Sequence, residues 1–228
     1  MLFAFYYGTA FRAPSLGETK KVNNAALLGN QSLSPEAVET FELGFSAHFT
    51  DALQSQITLY QSYIKDIISL QPVSVGIQQY KNSGAVTARG IELESKYSFA
   101  KNTYLSFNYV YQDAEDQKHQ RFANTPKHRA NIMANVEITD HVNFYIDTLL
   151  KGSSQRAVGD GRNNTAGYGL INTSLTVVDI GLKGWEASFS IFNLLNKDFS
   201  SPTSIGSLYN DMPQAGRAFF GALKIKFW

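Results

Sequence analysis

The sequence predicts an all-β fold, namely an antiparallel transmembrane β-barrel segment of about ten strands. Three features of the 228 residues predict it: polar and apolar residues alternate with period two along most of the chain, the alternating segments are long, and the connections between them are alternately short and long. Strands of about 9 to 11 residues cross a bilayer when tilted. Short turns on one side and long loops on the other are typical of outer-membrane barrels, whose short turns face the periplasm.

The alternation gives each strand an apolar and a polar side. In the segment 41–49 the odd positions are apolar, whereas Glu42, Gly44, Ser46 and His48 occupy the even ones. The same pattern places strands at about residues 2–11, 38–49, 53–69, 77–98, 103–113, 127–138, 142–151, 167–178, 185–193 and 216–227. Because Glu, Lys and Arg at mid-strand cannot face lipid, the polar sides are predicted to line a lumen that is wet or filled by polar protein.

The connections predict the orientation of the chain. The short ones are residues 50–51, 100–102, 139–141 and 181–184, and the long ones are residues 12–37, 70–76, 114–126, 152–166 and 194–215. With the short side at the periplasm, the final strand runs downward and the C-terminus lies at the periplasmic face. A soluble β-sandwich also alternates, but its strands are usually shorter, and neither the alternation of loop lengths nor the aromatic residues at strand ends is typical of it.

Composition and charge exclude several classes of protein. Apolar residues make up 43% of the chain and charged residues 17%, the net charge is +1 and cysteine is absent, so we expect neither a disulfide scaffold nor a nucleic-acid partner. No run approaches the roughly 18 apolar residues that a membrane-spanning helix needs. Residues 1–8 lack the basic start and cleavage pattern of a secretory signal, so if the protein is exported we expect the chain to be a mature piece or an incomplete reading frame.

The residue types and their spacing do not predict catalysis, a metal or a cofactor. There is no thiol, no G-x-S-x-G and no H-E-x-x-H, and the four histidines are spaced irregularly. An outer-membrane hydrolase remains an alternative, with His128 and either Asp113 or Asp116 as its best pair. A self-contained small barrel, passive or structural, is a further alternative, because ten strands can close in principle.

Several stretches, in order along the whole chain, resemble one family. They are residues 7–18 (YGTAFRAPSLGE), 33–36 (LSPE), 39–44 (ETFELG), 80–82 (YKN), 88–94 (ARGIELE), 124–128 (NTPKH), 192–198 (FNLLNKD) and 213–217 (PQAGR), followed by an aromatic end. The chain is similar to the C-terminal part of the barrel of the TonB-dependent outer-membrane receptors. Each motif alone is weak, and their order and spacing carry the resemblance.

The resemblance implies a 22-stranded barrel in the outer membrane of a Gram-negative bacterium, with an N-terminal plug folded inside it. It also implies a TonB box on that plug, through which the TonB complex drives uptake of ferric siderophores, haem, cobalamin or similar scarce nutrients. Nothing in residues 1–228 matches the plug or the TonB box, and roughly twelve barrel strands have no counterpart. We therefore expect residues 1–228 to be the closing part of the barrel, with lipid, the preceding strands and the plug as its partners.

The motifs also supply candidate structural residues, and these are Arg12, Pro14, Glu18, Glu42, Gly90, Glu92, Asn193, Gly216 and Arg217. Arg12 is expected to hold its strand end and loop in place, since Pro14 stiffens the exit from the strand. The terminal Phe227 and Trp228 are expected to be the signal that the assembly machinery reads.

Candidate ligand residues lie in the long loops. An anionic iron chelate would favour arginine with aromatic side chains, which makes Arg121, Phe122, Arg156, Arg162 and Tyr209 the candidates. The charged residues of the polar sides, which are Glu92, Glu94, Lys96, Arg129 and Glu137, can be interpreted in two ways. They contact the plug or a solute, or they are solvated and paired with one another across strands.

Overall fold

The structure of the protein is a computed structural model that describes residues 1–21, 24, 26–179, 181, 183–203 and 210–226. The strands are β1 (Leu2–Arg12), β2 (Leu27–Leu28), β3 (Glu36–His48), β4 (Leu53–Lys65), β5 (Ile68–Ser74), β6 (Ile77–Asn82), β7 (Ala85–Ala100), β8 (Thr103–Asp116), β9 (His128–Thr139), β10 (Val142–Lys151), β11 (Tyr168–Val178), β12 (Trp185–Phe192), β13 (Ser200–Ser201), β14 (Met212–Pro213) and β15 (Ala218–Ile225). One short helix, α1 (Leu16–Thr19), follows β1. The predicted all-β class is confirmed.

Ten of these strands form one antiparallel sheet in the order β1-β3-β4-β7-β8-β9-β10-β11-β12-β15. The order follows the chain, so the predicted ten-stranded antiparallel arrangement is confirmed. Within the described residues β1 and β15 pair on one side only and the sheet does not close on itself. Closure, which a self-contained ten-stranded barrel requires, is therefore not seen in this part of the chain.

The two ends of the sheet differ as predicted. The turns after β3, β7, β9 and β11 lie at one end and span residues 49–52, 101–102, 140–141 and 179–184. The connections after β1, β4, β8, β10 and β12 lie at the other end, here called the long-loop end, and are much longer. The antiparallel order of the strands thus places all the long connections at the long-loop end of the sheet, where a site built from loops can form.

The register gives the sheet one apolar and one polar face. Phe3 pairs with Phe45, with ring centroids 4.7 Å apart, and Leu43, Ile57 and Leu93 continue the same face across β3, β4 and β7. Because successive side chains point to opposite faces, the residues between them form the polar face. We use the names apolar face and polar face for these two surfaces.

Two predicted strand boundaries are wrong. The predicted strands 53–69 and 77–98 continue past the points where the main sheet ends, since β4 stops at Lys65 and β7 starts at Ala85. Asp66 and Gly84 adopt positive φ angles of 56° and 84°, which turn the chain out of the sheet. Residues 68–82 form instead the hairpin β5–β6, which joins β2 in a separate three-stranded sheet. The residues predicted as a loop, 70–76, mostly belong to β5.

A small buried cluster lies where β4, β7 and β8 reach the long-loop end. Val86, Ala88 and Ala114 are buried there, with Ile64 and Ile67 packed against them. Val86 pairs with Ile64 and Ala88 pairs with Ala114, so the cluster lies on the polar face. The polar face thus becomes apolar at the long-loop end, where the chain leaves β4. Among the described residues, no helix has the length and the apolar character needed to cross a membrane.

Candidate functional site

Arg12, at the end of β1, joins three segments at the long-loop end. Its guanidinium donates to both carboxylate oxygens of Glu36 at 2.7 and 2.8 Å and to Glu18 at 3.0 to 3.2 Å. Glu36 opens β3, and its Oε1 also accepts the backbone N–H of Ile68 at 2.8 Å. One arginine therefore connects β1, α1, β3 and, through Glu36, the start of β5. Its partners are carboxylates of two successive motifs, residues 7–18 and 33–36.

Glu18 has a second role as the last residue of a capping box. The Ser15 hydroxyl accepts the Glu18 N–H at 3.3 Å, and the Glu18 carboxylate accepts the Ser15 N–H at 2.7 Å. Pro14 precedes this cap and follows β1 by two residues. The hydrogen bonds from Arg12, and then that from Ser15, lower the pKa of Glu18. Helix α1 was not predicted, although Ser15 followed three residues later by Glu18 is the usual signal of a helix start.

Gly90 is the position of closest backbone approach on the polar face. It pairs with Tyr60 on β4 and with Gln112 on β8. A Cβ at Gly90 would lie 2.2 Å from the Tyr111 carbonyl oxygen and 2.7 Å from the Tyr60 hydroxyl. No side chain fits there without a shift of the neighbouring strand.

Glu42 and Glu92 lie beside Gly90 on the same face. Glu42 pairs with Tyr60, which in turn pairs with Gly90, and Glu92 follows Gly90 by two residues on β7. Within the described part of the chain neither carboxylate has an ion-pair partner within 4.0 Å, whereas Arg129 on β9 donates to Gln112 at 3.4 Å. Cross-strand pairing among the described residues therefore gives these two carboxylates no ion pair.

Arg121 and Phe122 lie in the connection between β8 and β9. Arg121 forms an isolated bridge with Glu115, and the Phe122 N–H donates to the Ala114 carbonyl at 2.7 Å. Phe122 is half-exposed. The connection folds back along β8, which brings Arg121 to the long-loop end.

Arg156 and Arg162 converge on one carboxylate. Arg156 donates to both oxygens of Asp211 at 2.8 and 2.6 Å, and Arg162 Nη1 lies 3.7 Å from Asp211 Oδ1. Arg162 also pairs with Asp160 at 2.6 Å and donates to the Thr203 carbonyl at 2.9 Å. The connection between β10 and β11 is thus bound to the connection between β12 and β15. Asp160 and Asp211 were not among the predicted residues, and only Asp160 had a signal, since it lies two positions from Arg162.

The carboxyls of this cluster have lowered pKa values. The hydrogen bond from Arg162 is the main cause at Asp160, whose pKa falls to about 2, and the hydrogen bonds from Arg156 lower the pKa of Asp211. A carboxyl whose folded pKa is depressed stabilises the fold above its unfolded pKa of about 4 and loses that effect as pH falls through the folded pKa. The contact between the two connections is therefore complete at neutral pH.

We expect the contact to weaken as pH falls below about 4, because protonation of Asp211 removes the charge that the arginines bind. The Thr203 N–H donates to Asp211 Oδ1, so its hydrogen-exchange protection, corrected for the intrinsic rate, should fall over this range. The Gly152 N–H donates to the His128 carbonyl and should keep its protection. In Asp211→Asn the Thr203 amide should respond much less to pH. Equal loss of protection at both amides would contradict this assignment.

Asn193 and Gly216 bring two motifs together. Asn193 has φ 51°, donates to the Lys197 carbonyl at 2.9 Å and accepts the Lys197 N–H at 2.8 Å. Asn196 Oδ1 accepts the Arg217 N–H at 2.9 Å, and a Cβ on Gly216 would lie 2.9 Å from the same oxygen. The FNLLN and PQAGR segments therefore pack directly against each other where β12 ends and β15 begins.

Three predicted residues, Tyr209, Phe227 and Trp228, lie outside the described residues. The alternative hydrolase pair is not assembled in the described chain. His128 Nδ1 bonds the Tyr109 hydroxyl at 2.7 Å, while Asp113 pairs with Lys127 at 2.7 Å. Among the described residues no group of three or more histidine or acidic side chains could hold a metal ion.

Comparisons with known proteins agree with this geometry. The sequence profile of the family described as "TonB dependent receptor-like, beta-barrel" matches residues 1–194. A ferric enterobactin receptor mutant from Pseudomonas aeruginosa, solved in complex with enterobactin, superposes with a TM-score of 0.81 at 19% identity over 99% of this chain and 38% of that chain. The copper transporter OprC superposes with a TM-score of 0.76 at 18% identity, over 99% of this chain and 37% of that chain.

The ferric-catecholate import receptor Fiu from E. coli gives a TM-score of 0.73 at 17% identity, over 99% of this chain and 33% of that chain. At such identities the likeness concerns the fold. The chain spans between a third and two fifths of the length of these solved structures.

Proposed function

The chain belongs to the TonB-dependent receptor β-barrel family, and we propose that it forms part of an outer-membrane receptor for active uptake of a ferric siderophore or a similar scarce nutrient. The family match over residues 1–194 is the observation that carries this proposal. The family and the fold are those of transporters rather than enzymes. Relatives of similar fold include a ferric enterobactin receptor and a copper transporter, which supports iron chelates and other metal nutrients as the class of cargo.

We assign residues 1–228 to the C-terminal part of the receptor barrel in the outer membrane of a Gram-negative bacterium. The apolar face would contact lipid, and the polar face would contact a plug, through which the TonB complex would act. Glu42 and Glu92 support the contact with a plug, because both carboxylates lie on the polar face without an ion-pair partner among the described residues. Where protein replaces water in the lumen, a carboxylate without an ion pair needs a cation or hydrogen-bond donors, and a plug can supply them.

The long-loop end is the part of the chain where we place contact with the cargo. Arg121, Phe122, Arg156 and Arg162 lie there, and Tyr209 belongs to the same group by its position in the sequence. Phe122 is half-exposed and offers an apolar ring, whereas Arg156 and Arg162 are already engaged by Asp211. Contact of these arginines with an anionic chelate therefore requires an exchange of partners.

Growth under iron limitation tests the proposed function. We expect the gene, expressed in its natural reading frame in a strain that lacks its own siderophore receptors, to restore growth on at least one of ferric enterobactin, ferrichrome or haem, or vitamin B12-dependent growth on cobalamin. Deletion of tonB in the same strain should abolish the effect. Failure to restore growth on any of the four, with the protein present in the outer membrane, would count against energised uptake.

The unpaired carboxylates provide a matched test of the same proposal. Glu92→Gln should reduce uptake of the active nutrient several-fold, because the amide keeps the shape but removes the charge that a plug would meet. Glu186, on β12, is paired with Lys224 at 3.6 Å, and Glu186→Gln should leave uptake nearly unchanged. Equal uptake by both variants would contradict the proposed role of Glu92.

A further inference from the structure

The Asp211 carboxylate occupies a site that two arginines build. The two terminal guanidinium nitrogens of Arg156 donate to its two oxygens at 2.8 and 2.6 Å. Arg162 Nη1 lies 3.7 Å from Oδ1, and the Thr203 N–H donates to Oδ1 at 3.3 Å. Only 8% of the Arg156 side chain and 16% of the Asp211 side chain are exposed. The donors thus surround a planar oxyanion that is largely removed from solvent.

The arrangement of the donors would bind other anions of the same shape. Two parallel N–H groups of a guanidinium match the two oxygens of any carboxylate, and this pairing is stronger and more specific than a contact with lysine. Arg156 is additionally fixed because its Nε donates to the Asn163 carbonyl at 2.6 Å. Its fork therefore keeps its orientation when the carboxylate is exchanged, and Asp211 occupies the position of a ligand.

Space for an exchanging group exists beside Asp211. A cavity of about 280 Å³ is bordered by Asp211, Lys197, Asp198, Tyr168 and Phe199, and the last two rings lie with centroids 4.7 Å apart. This volume suits one arm of a larger ligand rather than a whole drug-sized molecule. Lys197 and Asp198 balance each other in charge, and Asp160 balances one of the two arginines. Displacement of Asp211 therefore leaves the site with one excess positive charge.

We propose that Arg156 and Arg162 form a subsite for a carboxylate or comparable planar oxyanion of the cargo, and that Asp211 blocks this subsite until the anion displaces it. This inference rests on the proposed function, since it names the chemical class that the loop site takes. It assigns Asp211 the role of an internal competitor. Displacement frees the segment of residues 210–213 from the connection between β10 and β11.

Binding of free citrate to the purified protein, expressed in its natural reading frame, provides the first test. Titration calorimetry should show citrate binding that Arg156→Gln abolishes. Asp211→Asn should bind citrate about tenfold more tightly, because the internal competitor is weakened. Asp198→Asn is the matched control, since Asp198 borders the cavity but is not among the described ion-pair partners of the two arginines, and citrate affinity should change much less in this variant. No binding, or equal gains in both aspartate variants, would overturn the proposal.

Displacement of the segment can be measured separately from binding. The 228 residues contain no cysteine, so Gly161→Cys and Met212→Cys introduce a unique pair of labelling sites within them. A Cβ at Gly161 meets nothing within 4 Å, and Met212 is half-exposed. Spin labels at these positions should give one narrow distance distribution, which citrate shifts to longer distances. Chloride at the same ionic strength should not shift it.

The Asp211→Asn variant, carrying the same labels, should show the longer distances without citrate. An unchanged distribution in Asp211→Asn, or equal shifts with citrate and chloride, would overturn the proposed displacement. Neither the binding nor the distance measurement depends on uptake. Failure of the growth experiment with intact citrate exchange would therefore reject the transport function alone, and the reverse result would reject the subsite alone.

Discussion

Replacement of Gly90 by valine is expected to prevent most of the protein from reaching its folded state. The Cβ would lie 2.2 Å from the Tyr111 carbonyl oxygen, which is backbone of the neighbouring strand, and 2.7 to 2.8 Å from atoms of the Tyr60 side chain. The Tyr60 side chain can rotate away, but the backbone of β8 cannot move without loss of the pairs around Gly90 and Gln112. Overpacking costs about 1 to 3 kcal/mol where side chains can adjust, and for valine at Gly90 we expect a larger cost because the clash is with backbone.

The measurement is the fraction of protein in the outer membrane that migrates as folded, heat-modifiable material, together with denaturant unfolding in detergent. Gly44→Val is the matched control on the same face, two strands away, because a Cβ at Gly44 meets only the Ala4 carbonyl oxygen at 3.8 Å. We expect Gly90→Ala to lower the free energy of unfolding by about 1 to 3 kcal/mol and Gly44→Ala to change it by less. Equal behaviour of the two glycines would refute the close approach at Gly90.

Replacement of Asn193 by alanine is expected to have the second largest effect. The side chain is 5% exposed and closes a ring with the backbone N–H and C=O of Lys197. Its removal takes away both hydrogen bonds to Lys197, and one intramolecular hydrogen bond contributes about 0.5 to 1.5 kcal/mol. The φ of 51° adds strain of about 1 kcal/mol for alanine, which asparagine tolerates better.

We expect a loss of about 2 to 4 kcal/mol in the free energy of unfolding for Asn193→Ala. Asn193→Gly relieves the strain but not the lost hydrogen bonds, so it should fall between the wild type and Asn193→Ala. Hydrogen exchange at the Lys197 amide should accelerate in both variants. A stability of Asn193→Ala within about 0.5 kcal/mol of the wild type would show that the ring contributes little.

The main sheet could be predicted from the sequence because alternation, strand length and loop length are all local properties. The hairpin β5–β6 could not, because its residues alternate like those of the main sheet and the break depends on the positive φ of Asp66. A residue other than glycine gives no clear signal of such an angle. Helix α1 was predictable in principle, since the Ser15–Glu18 spacing is a capping box.

The candidate site shows a similar division. Arginine and aromatic residues in long loops indicated where charged groups would lie, and the structure places Arg156 and Arg162 together. Their shared partner, Asp211, lies 55 positions from Arg156 and follows no motif. Likewise, Glu36 lies 24 positions from Arg12. Such pairs form because the register of the sheet brings connections that are distant in sequence together at the long-loop end. Residue types and spacing alone therefore do not identify them.

The order of strands in the main sheet has a consequence for how the protein acquires its structure. Each strand of the sheet pairs with the next main-sheet strand along the chain, so the sheet can grow by successive addition of hairpins. The loop-closure entropy of each addition is small compared with that of a sheet built from distant segments. In this kind of growth a strand that fails to pair cannot be skipped, because its two neighbours in the sheet do not pair with each other. A defect in β7 would therefore leave β1, β3 and β4 as one assembled unit and β8 to β15 as another, which limited proteolysis during refolding could separate.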